Sequence, residues 1–328
     1  MRAGLAFGAA TGGSILADNK RMDPAMSALV RFVRSRAPKP QPIERTRAEY
    51  AALLALAGLR GDLGATAAPL AIPGLPPGRE YAPKGQAPRG TLLYFHGGGF
   101  IMGGPPLRDG LCRRIAARTG LRVVSAGYRL APEHPFPAAH DDARRALDWV
   151  RGRGWGGPLL VGGDSAGANL AASLARDGGV DGQVLIYPVV DMVEADAGHS
   201  AGHYPSLTLF ADGYLLTAAA MRACAEALMP PGVDPADPLL SPIRADLSRA
   251  APALLTVAGF DPLRDQGTAY AAAMRKAGVR VTLLEEDALV HGYADFAGMV
   301  PEARRAVDRL AAGIGAMAEG AQAERKAS

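Results

Sequence analysis

The sequence GDSAG at residues 163–167 directly follows the apolar run PLLVG at 158–162, and a small-residue stretch typical of a helix comes next, at 168–174. A strand, a serine between glycines and then a helix form the context of a nucleophile elbow. The glycines let the backbone turn sharply, so that the Ser165 hydroxyl emerges at the top of a sheet. Taken alone, this pattern also arises by chance in a chain rich in glycine and alanine.

A second glycine-rich segment lies upstream of the serine. The apolar run TLLYF at 91–95 leads into HGGGF at 96–100. A serine that attacks a carbonyl needs N–H donors aimed at the developing oxyanion, and glycine amides can approach it closely. HGGG after a strand is the oxyanion loop of lipases and esterases. The alternative, a turn that only reverses the chain, is disfavoured by the elbow serine downstream.

A nucleophilic serine also needs a base, and here the expected chain order is Ser, then Asp or Glu, then His. Three histidines follow Ser165, namely His199, His203 and His291. His291 lies in a predicted loop after a strand-like run at 279–284. The other two lie among Gly, Pro and Asp residues and are interpreted as loop residues. His291 is therefore the predicted base.

The orienting acid has two candidates. Asp261 directly follows the apolar run at 253–260, so Asp261 and His291 would lie at the C-terminal ends of two successive strands. Ligands collect at those ends in open α/β sheets. Asp265 lies farther from the strand end, where a helix is predicted to begin. The predicted triad is Ser165, Asp261 and His291.

Strand-like and helix-like runs alternate along much of the chain, which predicts an α/β fold with a parallel sheet covered on both faces. The other strand-like runs lie at 69–72, 79–81, 121–126 and 183–187, and helical runs lie at 137–150 and 301–317. After residue 317 we expect a frayed helix end or a solvated tail.

Two stretches interrupt this alternation. Helices are predicted from Asp23 to Val33 and over 44–56, and 191–230 holds apolar residues at helical spacing without a clear strand. We expect both stretches to form a helical cap over the strand ends. The alternative is that 191–230 only packs on the core. The predicted boundaries are 1–60 and 191–230 for the cap, and 61–190 and 231–328 for the core.

The chain resembles the hormone-sensitive-lipase-like family of bacterial esterases in the α/β-hydrolase superfamily. Five motifs stand in the family's order: HGGGF at 96–100, YRLAPE at 128–133, GDSAG at 163–167, DPLRD at 261–265 and HGY at 291–293. The resemblance implies the α/β-hydrolase fold, with a mostly parallel eight-stranded sheet, helices on both faces and a helical cap. It also implies that the amides of Gly98, Gly99 and Ala166 bind the oxyanion.

Three positions depart from the family pattern. Ala168, Gln266 and Tyr293 stand where the family often has glycine, glutamate and phenylalanine. None of them removes a reacting group. Ala168 changes the packing of the elbow, and Gln266 removes a charge near the start of the helix after the acid.

The motifs together predict a serine carboxylesterase that hydrolyses short- to medium-chain acyl esters through an acyl-enzyme intermediate. Neither a metal nor an organic cofactor is needed for this chemistry. Cleavage of amides, formamides or lactones on the same triad is an alternative, as is a non-catalytic receptor on the same scaffold. Retention of His291 argues against the receptor. The expected partner is a small-molecule ester, and a homodimer is left open.

We expect a closed apolar pocket beneath the cap, with the Asp23–Val33 helix and Leu209 over the strand ends. The predicted pocket residues are Phe100, Asp164, Leu207, Phe210, Leu263 and Tyr293. The structural role of Asp164, holding the elbow, is favoured over the pocket role. His96 is interpreted as a support for the oxyanion loop. Arg129 and Glu133 are expected to bind loop carbonyls and amides.

Composition argues against several other classes of protein. The 328 residues carry a formal charge of +4, and the 36 basic residues, 31 of them arginines, are scattered among 32 acidic ones. We interpret them as solvated surface and not as a nucleic-acid interface. Cys112 and Cys224 are far apart, which indicates reduced thiols in a cytoplasmic protein. No apolar run reaches the ~18–20 residues of a membrane span. Residues 1–10 are only a weak match to a signal peptide.

Overall fold

The structure is a computed structural model that describes residues 21–35, 41–60, 64–193 and 203–327. The N-terminal segment 1–20 and His199 lie outside these ranges, so the expectations for them stay predictions.

Eight strands form one sheet in the order β1-β2-β4-β3-β5-β6-β7-β8. In chain order they are β1 (Ala65–Leu70), β2 (Gly78–Pro83), β3 (Thr91–Phe95), β4 (Arg122–Ala126), β5 (Leu159–Asp164), β6 (Gly182–Ile186), β7 (Ala253–Phe260) and β8 (Val281–Val290). β1 and β2 are antiparallel to their neighbours, and β3 to β8 run parallel. The predicted eight-stranded, mostly parallel α/β sheet is confirmed.

Helices cover both faces of this sheet. In the described ranges the α-helices are α1 (Pro24–Arg34), α2 (Ile43–Ala57), α3 (Asp109–Thr119), α4 (Ala138–Gly152), α5 (Ala166–Ala175), α6 (Pro205–Leu209), α7 (Ala218–Leu228), α8 (Arg264–Lys276) and α9 (Pro301–Ala327). Buried residues of α4, α5 and α8 share one apolar cluster, and those of α1, α3 and α9 share another. The sheet therefore separates two cores.

Strand β3 shows how the sequence produces this layering. All five of its residues are buried. Successive side chains of a strand point to opposite faces, so a strand covered on both faces is apolar throughout. Leu93 and Phe95 belong to the α4–α5–α8 cluster, whereas Leu92 and Tyr94 belong to the α1–α3–α9 cluster.

The strands β1 and β8 end at other residues than the sequence predicted. β1 ends at Leu70, because the chain then turns at Gly74, with φ +77°, to pair antiparallel with β2. β8 continues to Val290, so the predicted loop before His291 is strand. Its buried Glu286 is tolerated there because it forms an ion pair with Arg309.

The last helix is also longer than predicted. α9 continues to Ala327, where a frayed end or a solvated tail was expected after residue 317. Two ion pairs hold its last turns against the body, Arg280–Glu324 at 2.6 Å and Arg325–Asp181 at 2.9 Å.

The two interrupting stretches are helical where they are described. The side chain of Asp23 accepts a hydrogen bond from the Met26 amide at 3.0 Å and so caps α1 at the predicted start. α2 follows after residues 36–40, which lie outside the described ranges, and the second stretch contains α6 and α7. The boundaries of a cap domain stay a prediction.

The backbone packs closely at the junction of β5 and α5, next to the predicted nucleophile. A Cβ atom on Gly163 would lie 2.4 Å from the Gly167 carbonyl carbon and 2.5 Å from the Phe95 carbonyl oxygen. Both atoms are backbone, so they cannot move aside as the end of a side chain can.

We therefore expect Gly163→Ala to destabilise the protein by roughly 1–3 kcal/mol or more, as overpacked sites do. The matched control is Gly152→Ala at the exposed end of α4, where an added Cβ would meet nothing within 4 Å. Urea unfolding monitored by circular dichroism measures both variants. Equal midpoints for the two variants would contradict this account of the junction.

Candidate active site

Ser165 occupies the tight turn between β5 and α5. Its backbone has φ 53° and ψ −117°, a conformation with positive φ that residues other than glycine rarely adopt. Such strain persists only where the surroundings impose it, and it clusters at functional sites. The sequence-based prediction of a strand, a sharp turn and a helix around Ser165 agrees with this geometry.

The predicted base and acid come together with the serine. His291 directly follows β8 and Asp261 directly follows β7. The Nε2 atom of His291 lies 3.0 Å from Ser165 Oγ, and its Nδ1 atom lies 2.7 Å from Asp261 Oδ2. The other carboxylate oxygen of Asp261 accepts the Leu263 amide at 2.7 Å. With a proton on Nδ1, His291 donates to Asp261 and can accept the Ser165 proton.

The alternative acid, Asp265, faces other partners. Its carboxylate accepts the Ser206 amide at 2.7 Å and Arg264 Nε at 2.8 Å. Ser206 belongs to α6, so Asp265 ties that helix to the start of α8.

The predicted oxyanion loop adopts a conformation that requires glycine. Gly98 has φ +125° and Gly99 has φ +61°. A Cβ on Gly98 would lie 2.2 Å from the Met102 carbonyl oxygen, and one on Gly99 would lie 2.4 Å from Cys224 Sγ. Ala166 is the first residue of α5, so its N–H has no partner inside the helix. All three residues line one cavity with Ser165 and His291.

This cavity has a volume of about 820 Å³ and lies between the strand ends and α1, α2 and α7. Of the predicted pocket residues, Phe100, Asp164 and Leu263 line it. Apolar residues that the sequence analysis did not assign to the pocket complete much of the wall: Phe32, Val33, Leu53, Met102, Val189, Met192, Leu215, Leu216 and Met221. The wall is thus largely apolar near Ser165.

Three predicted pocket residues, Leu207, Phe210 and Tyr293, are not among the residues that line the cavity, and this corrects the prediction. The Phe210 ring packs edge-on against Tyr214, which does line the cavity, at 5.2 Å. The Tyr293 hydroxyl donates to Thr256 Oγ1 at 3.1 Å within the core. The Tyr293 ring also packs edge-on against Tyr187, which lines the cavity, at 5.1 Å, so both rings support the wall from behind.

Helix α6 also does not contribute to the cavity wall as predicted. Leu207 is buried on α6, against the core, and Leu209 is 38% exposed to solvent. Helical spacing revealed that these residues share a helix, but it could not tell which face of the helix meets the cavity.

His96 contacts the predicted oxyanion loop, as expected of a supporting residue. Its ring stacks on Tyr128 at 4.3 Å, and its Nδ1 atom lies 2.8 Å from the Gly97 carbonyl oxygen. The Tyr128 hydroxyl donates to the His96 carbonyl oxygen at 2.7 Å. Burial lowers the pKa of His96 to about 4, so the ring is neutral at physiological pH.

Arg129 and Glu133 bind side chains more than the loop carbonyls and amides that were expected. Arg129 forms a bidentate ion pair with Asp142, and reaches one carbonyl, that of Ala138, at 3.3 Å. Glu133 accepts two 2.7 Å hydrogen bonds from Arg47 of α2. Arg47 also donates to the carbonyl oxygen of Ile101, just after the oxyanion loop, at 2.7 Å.

Gln266, one of the departures from the family pattern, is buried and positions the chain after β6. Its side-chain oxygen accepts the amides of Val190 at 2.8 Å and Asp191 at 3.1 Å. An amide oxygen can accept these hydrogen bonds as a carboxylate would.

A buried ionic group that no sequence motif indicated lies beside Ser165. Arg108 and Asp164 are each only 2% exposed in their side chains, and Arg108 Nη2 lies 2.7 Å from Asp164 Oδ2. Arg108 Nη1 lies 3.0 Å from Asp295 Oδ1, and its Nη2 donates to the Tyr50 hydroxyl at 3.1 Å. The interpretation of the arginines as solvated surface is wrong for Arg108.

Cys112 is buried and Cys224 is half-buried, and both are free thiols. Burial raises the pKa of the Cys224 thiol to about 12, so this wall residue is a poor nucleophile.

Within the described ranges, no group of three or more His, Cys, Asp or Glu residues could hold a metal ion. No helix found there is long and apolar enough to cross a membrane.

A family model described as the alpha/beta hydrolase fold matches residues 92–295, which include every motif quoted above. The chain belongs to this alpha/beta hydrolase family. The resemblance to hormone-sensitive-lipase-like esterases is confirmed by relatives that carry esterase names.

Two relatives and one solved structure illustrate what this α/β hydrolase is similar to. The carboxylic ester hydrolase LipN of Mycobacterium tuberculosis is 42% identical over 245 residues, which are 68% of this chain and 63% of LipN. The ethyl acetate hydrolase of Pseudomonas putida is 35% identical over 69% of this chain and 74% of its own length. The hyperthermophilic esterase of the archaeon Pyrobaculum calidifontis superposes with a TM-score of 0.80 at 33% identity, covering 91% of this chain and 99% of that one.

Proposed function

We propose that this α/β hydrolase is a serine carboxylesterase in which Ser165, His291 and Asp261 form the catalytic triad. The observation that carries the proposal is the continuous hydrogen-bonded path from Ser165 Oγ through His291 to Asp261, at 3.0 and 2.7 Å. This path opens into a largely apolar cavity. Esterase names among the relatives support the same reaction class.

Acylation begins when the ester carbonyl enters the cavity beside Ser165. His291 Nε2 takes the Ser165 proton as Oγ attacks the carbonyl carbon, and Asp261 stabilises the imidazolium that forms. The amides of Gly98, Gly99 and Ala166 donate to the oxyanion, where preorganised donors lower the barrier. His291 then protonates the leaving alcohol.

Deacylation repeats these steps with water. His291 removes a proton from a water molecule, which attacks the acyl carbonyl, and the same amides bind the second oxyanion. Release of the carboxylic acid restores the free Ser165 hydroxyl.

The preferred substrates follow from the shape and polarity of the cavity. Its volume of about 820 Å³ must hold both the acyl group and the alcohol of an ester. Apolar walls stabilise each buried methylene by about 0.8 kcal/mol until the space is filled. Short- to medium-chain acyl esters fit these limits, and ethyl acetate, in the name of one relative, is a short ester.

Helices α1 and α2 with the segment carrying α6 and α7 form, in this proposal, a cap over the strand ends. A cytoplasmic location stays a prediction from the sequence, which leaves open whether the protein forms a homodimer.

Ser165→Ala tests the nucleophile. We expect the variant to fold normally and to lose on the order of 10⁴-fold or more in kcat on p-nitrophenyl butyrate, because members of a triad act as a unit. Circular dichroism and thermal unfolding control for the fold. Retention of a tenth of the wild-type rate would rule out Ser165 as the nucleophile.

Asp261→Asn and Asp265→Asn test the choice of acid. Asn at 261 removes the charge that stabilises the His291 imidazolium and favours the wrong tautomer, so kcat should fall by about 10⁴-fold. Asp265→Asn should keep most of the activity, because Asp265 binds Ser206 and Arg264 instead. Steady-state kinetics on the same ester compare the pair, and the opposite ranking would reassign the acid.

A series of p-nitrophenyl esters tests the acyl preference. We expect kcat/KM to rise with acyl length, peak below about eight carbons and then fall, because the gain per buried methylene ends when the cavity is full. Met221→Ala in the cavity wall should move the peak to a longer chain. Efficient hydrolysis of emulsified long-chain triglyceride would contradict this preference.

A further inference from the structure

A cluster of buried polar residues lies beside the triad without belonging to it. We define the Arg108 cluster as Tyr50, Tyr94, Arg108, Asp164 and Asp295. Besides its contacts with Arg108, Asp164 accepts a 2.7 Å hydrogen bond from the Tyr94 hydroxyl, and Asp295 accepts one from the Tyr50 hydroxyl at 3.2 Å. Four of the five line the cavity with Ser165, the exception being Tyr94.

The charges in this cluster do not balance. One guanidinium faces two carboxylates, and none of the three side chains is more than 9% exposed. Taking charges out of water is costly, and a buried ion pair often contributes little net stability compared with apolar side chains. Stability alone is therefore a weak explanation for the cluster.

The positions of the two carboxylates along the chain are informative. Asp164 directly precedes Ser165, and Asp295 lies four residues after His291. Asp164 is the last residue of β5 and Asp295 follows β8, and these strands are not neighbours in the sheet, because β6 and β7 lie between them. Ladder hydrogen bonds therefore fix the spacing of the two turns only indirectly.

Arg108 spans this gap with one rigid group. It lies at the end of a short 3-10 helix, Pro105–Arg108, outside both turns. Its Nε and Nη2 atoms contact Asp164 at 3.1 and 2.7 Å, and its Nη1 atom contacts Asp295 at 3.0 Å. A planar guanidinium holds its donors in a fixed fork, which a flexible ammonium cannot reproduce.

We propose that Arg108 is a positioning residue that sets the spacing of Ser165 and His291 by pairing at once with Asp164 and Asp295. The inference rests on the proposed serine mechanism and adds to it residues outside the triad. Arg108 touches neither reacting atom and acts through the two turns. A misplacement of about 1 Å between reacting groups can cost on the order of 10²-fold in rate.

The charge state of Asp295 gives the cluster a dependence on pH. Burial is the largest influence on Asp295 and raises its pKa to about 6, against the opposing effect of Arg108. Asp164 raises this pKa further, whereas the Tyr50 hydrogen bond and the charge on His291 lower it. Above about pH 6 Asp295 is charged and pairs with Arg108. Below it the pairing weakens as the carboxyl takes up a proton.

Asp295→Asn and Arg108→Lys test the proposal. The first keeps the shape of the side chain and removes its charge, and the second keeps the charge and removes the fork. The main measurement is the second-order rate constant for phosphonylation of Ser165 by a small p-nitrophenyl phosphonate, followed by intact mass. It needs the geometry of serine and base but not the physiological ester. Kinetics on p-nitrophenyl butyrate give kcat and KM separately.

We expect the phosphonylation constant and kcat to fall together by on the order of 10-fold or more in both variants, while KM changes far less. Around pH 6, log kcat/KM should fall more steeply with falling pH in the wild type than in Asp295→Asn, because only the wild type takes up a proton at Asp295.

The matched control is Asp308→Asn, which breaks the pairing of Arg114 Nε and Nη2 with Asp308 at 2.7 and 2.8 Å between α3 and α9. It should leave both rates unchanged. The proposal would be overturned if Asp295→Asn had the same rates and the same dependence of log kcat/KM on pH as the wild type. It would also be overturned if Asp295→Asn and Asp308→Asn lost activity to the same extent. If Arg108→Lys does not fold, Asp295→Asn decides alone. If the wild type is phosphonylated but turns over no ester, the proposed esterase function is wrong. The phosphonylation rates of the variants then test the positioning role by themselves.

Discussion

The close contact of three backbone segments beneath Ser165 is the constraint on which the site depends. A Cβ on Gly167 would lie 2.1 Å from the carbonyl oxygen of Phe95, the last residue of β3, and one on Gly163 would lie 2.5 Å from the same atom. The elbow and the strand leading into the oxyanion loop therefore touch without intervening side chains. Residues with Cβ atoms at these positions would push Ser165 away from the amides of Gly98 and Gly99.

The order of the strands explains how residues distant in sequence meet at this point. β3 and β5 are neighbours, and so are β7 and β8. Because these strands are parallel, their C-terminal ends lie along one edge, where the oxyanion loop, Ser165, Asp261 and His291 all emerge. Ser165, Asp261 and His291, which form the proposed triad, each follow directly after a strand. The sheet therefore sets their positions.

The placement of these residues directly after strands explains what the sequence could predict and what it could not. Ser165, Asp261 and His291 could be predicted as a triad because each lies after an apolar run, which is a local signal. Arg108 and Asp295 carry no such signal, since charged residues are usually exposed and their pairing joins segments far apart in the chain. The pocket prediction failed at Phe210 for a related reason: spacing identifies a helix or turn but not the side of it that faces a cavity.

Helix α2 lines the cavity and contacts both the predicted oxyanion loop and the Arg108 cluster. Arg47 donates to the carbonyl oxygen of Ile101 beside the oxyanion loop and pairs with Glu133, whereas Tyr50 contacts Arg108 and Asp295 beside the triad. The two donors lie three residues apart, on the same face of one helix. Any displacement of α2 would therefore disturb the oxyanion loop and the Arg108 cluster together. Residues of α2 also line the cavity, so the same helix borders the substrate space and holds the contacts to the predicted oxyanion loop and to the Arg108 cluster.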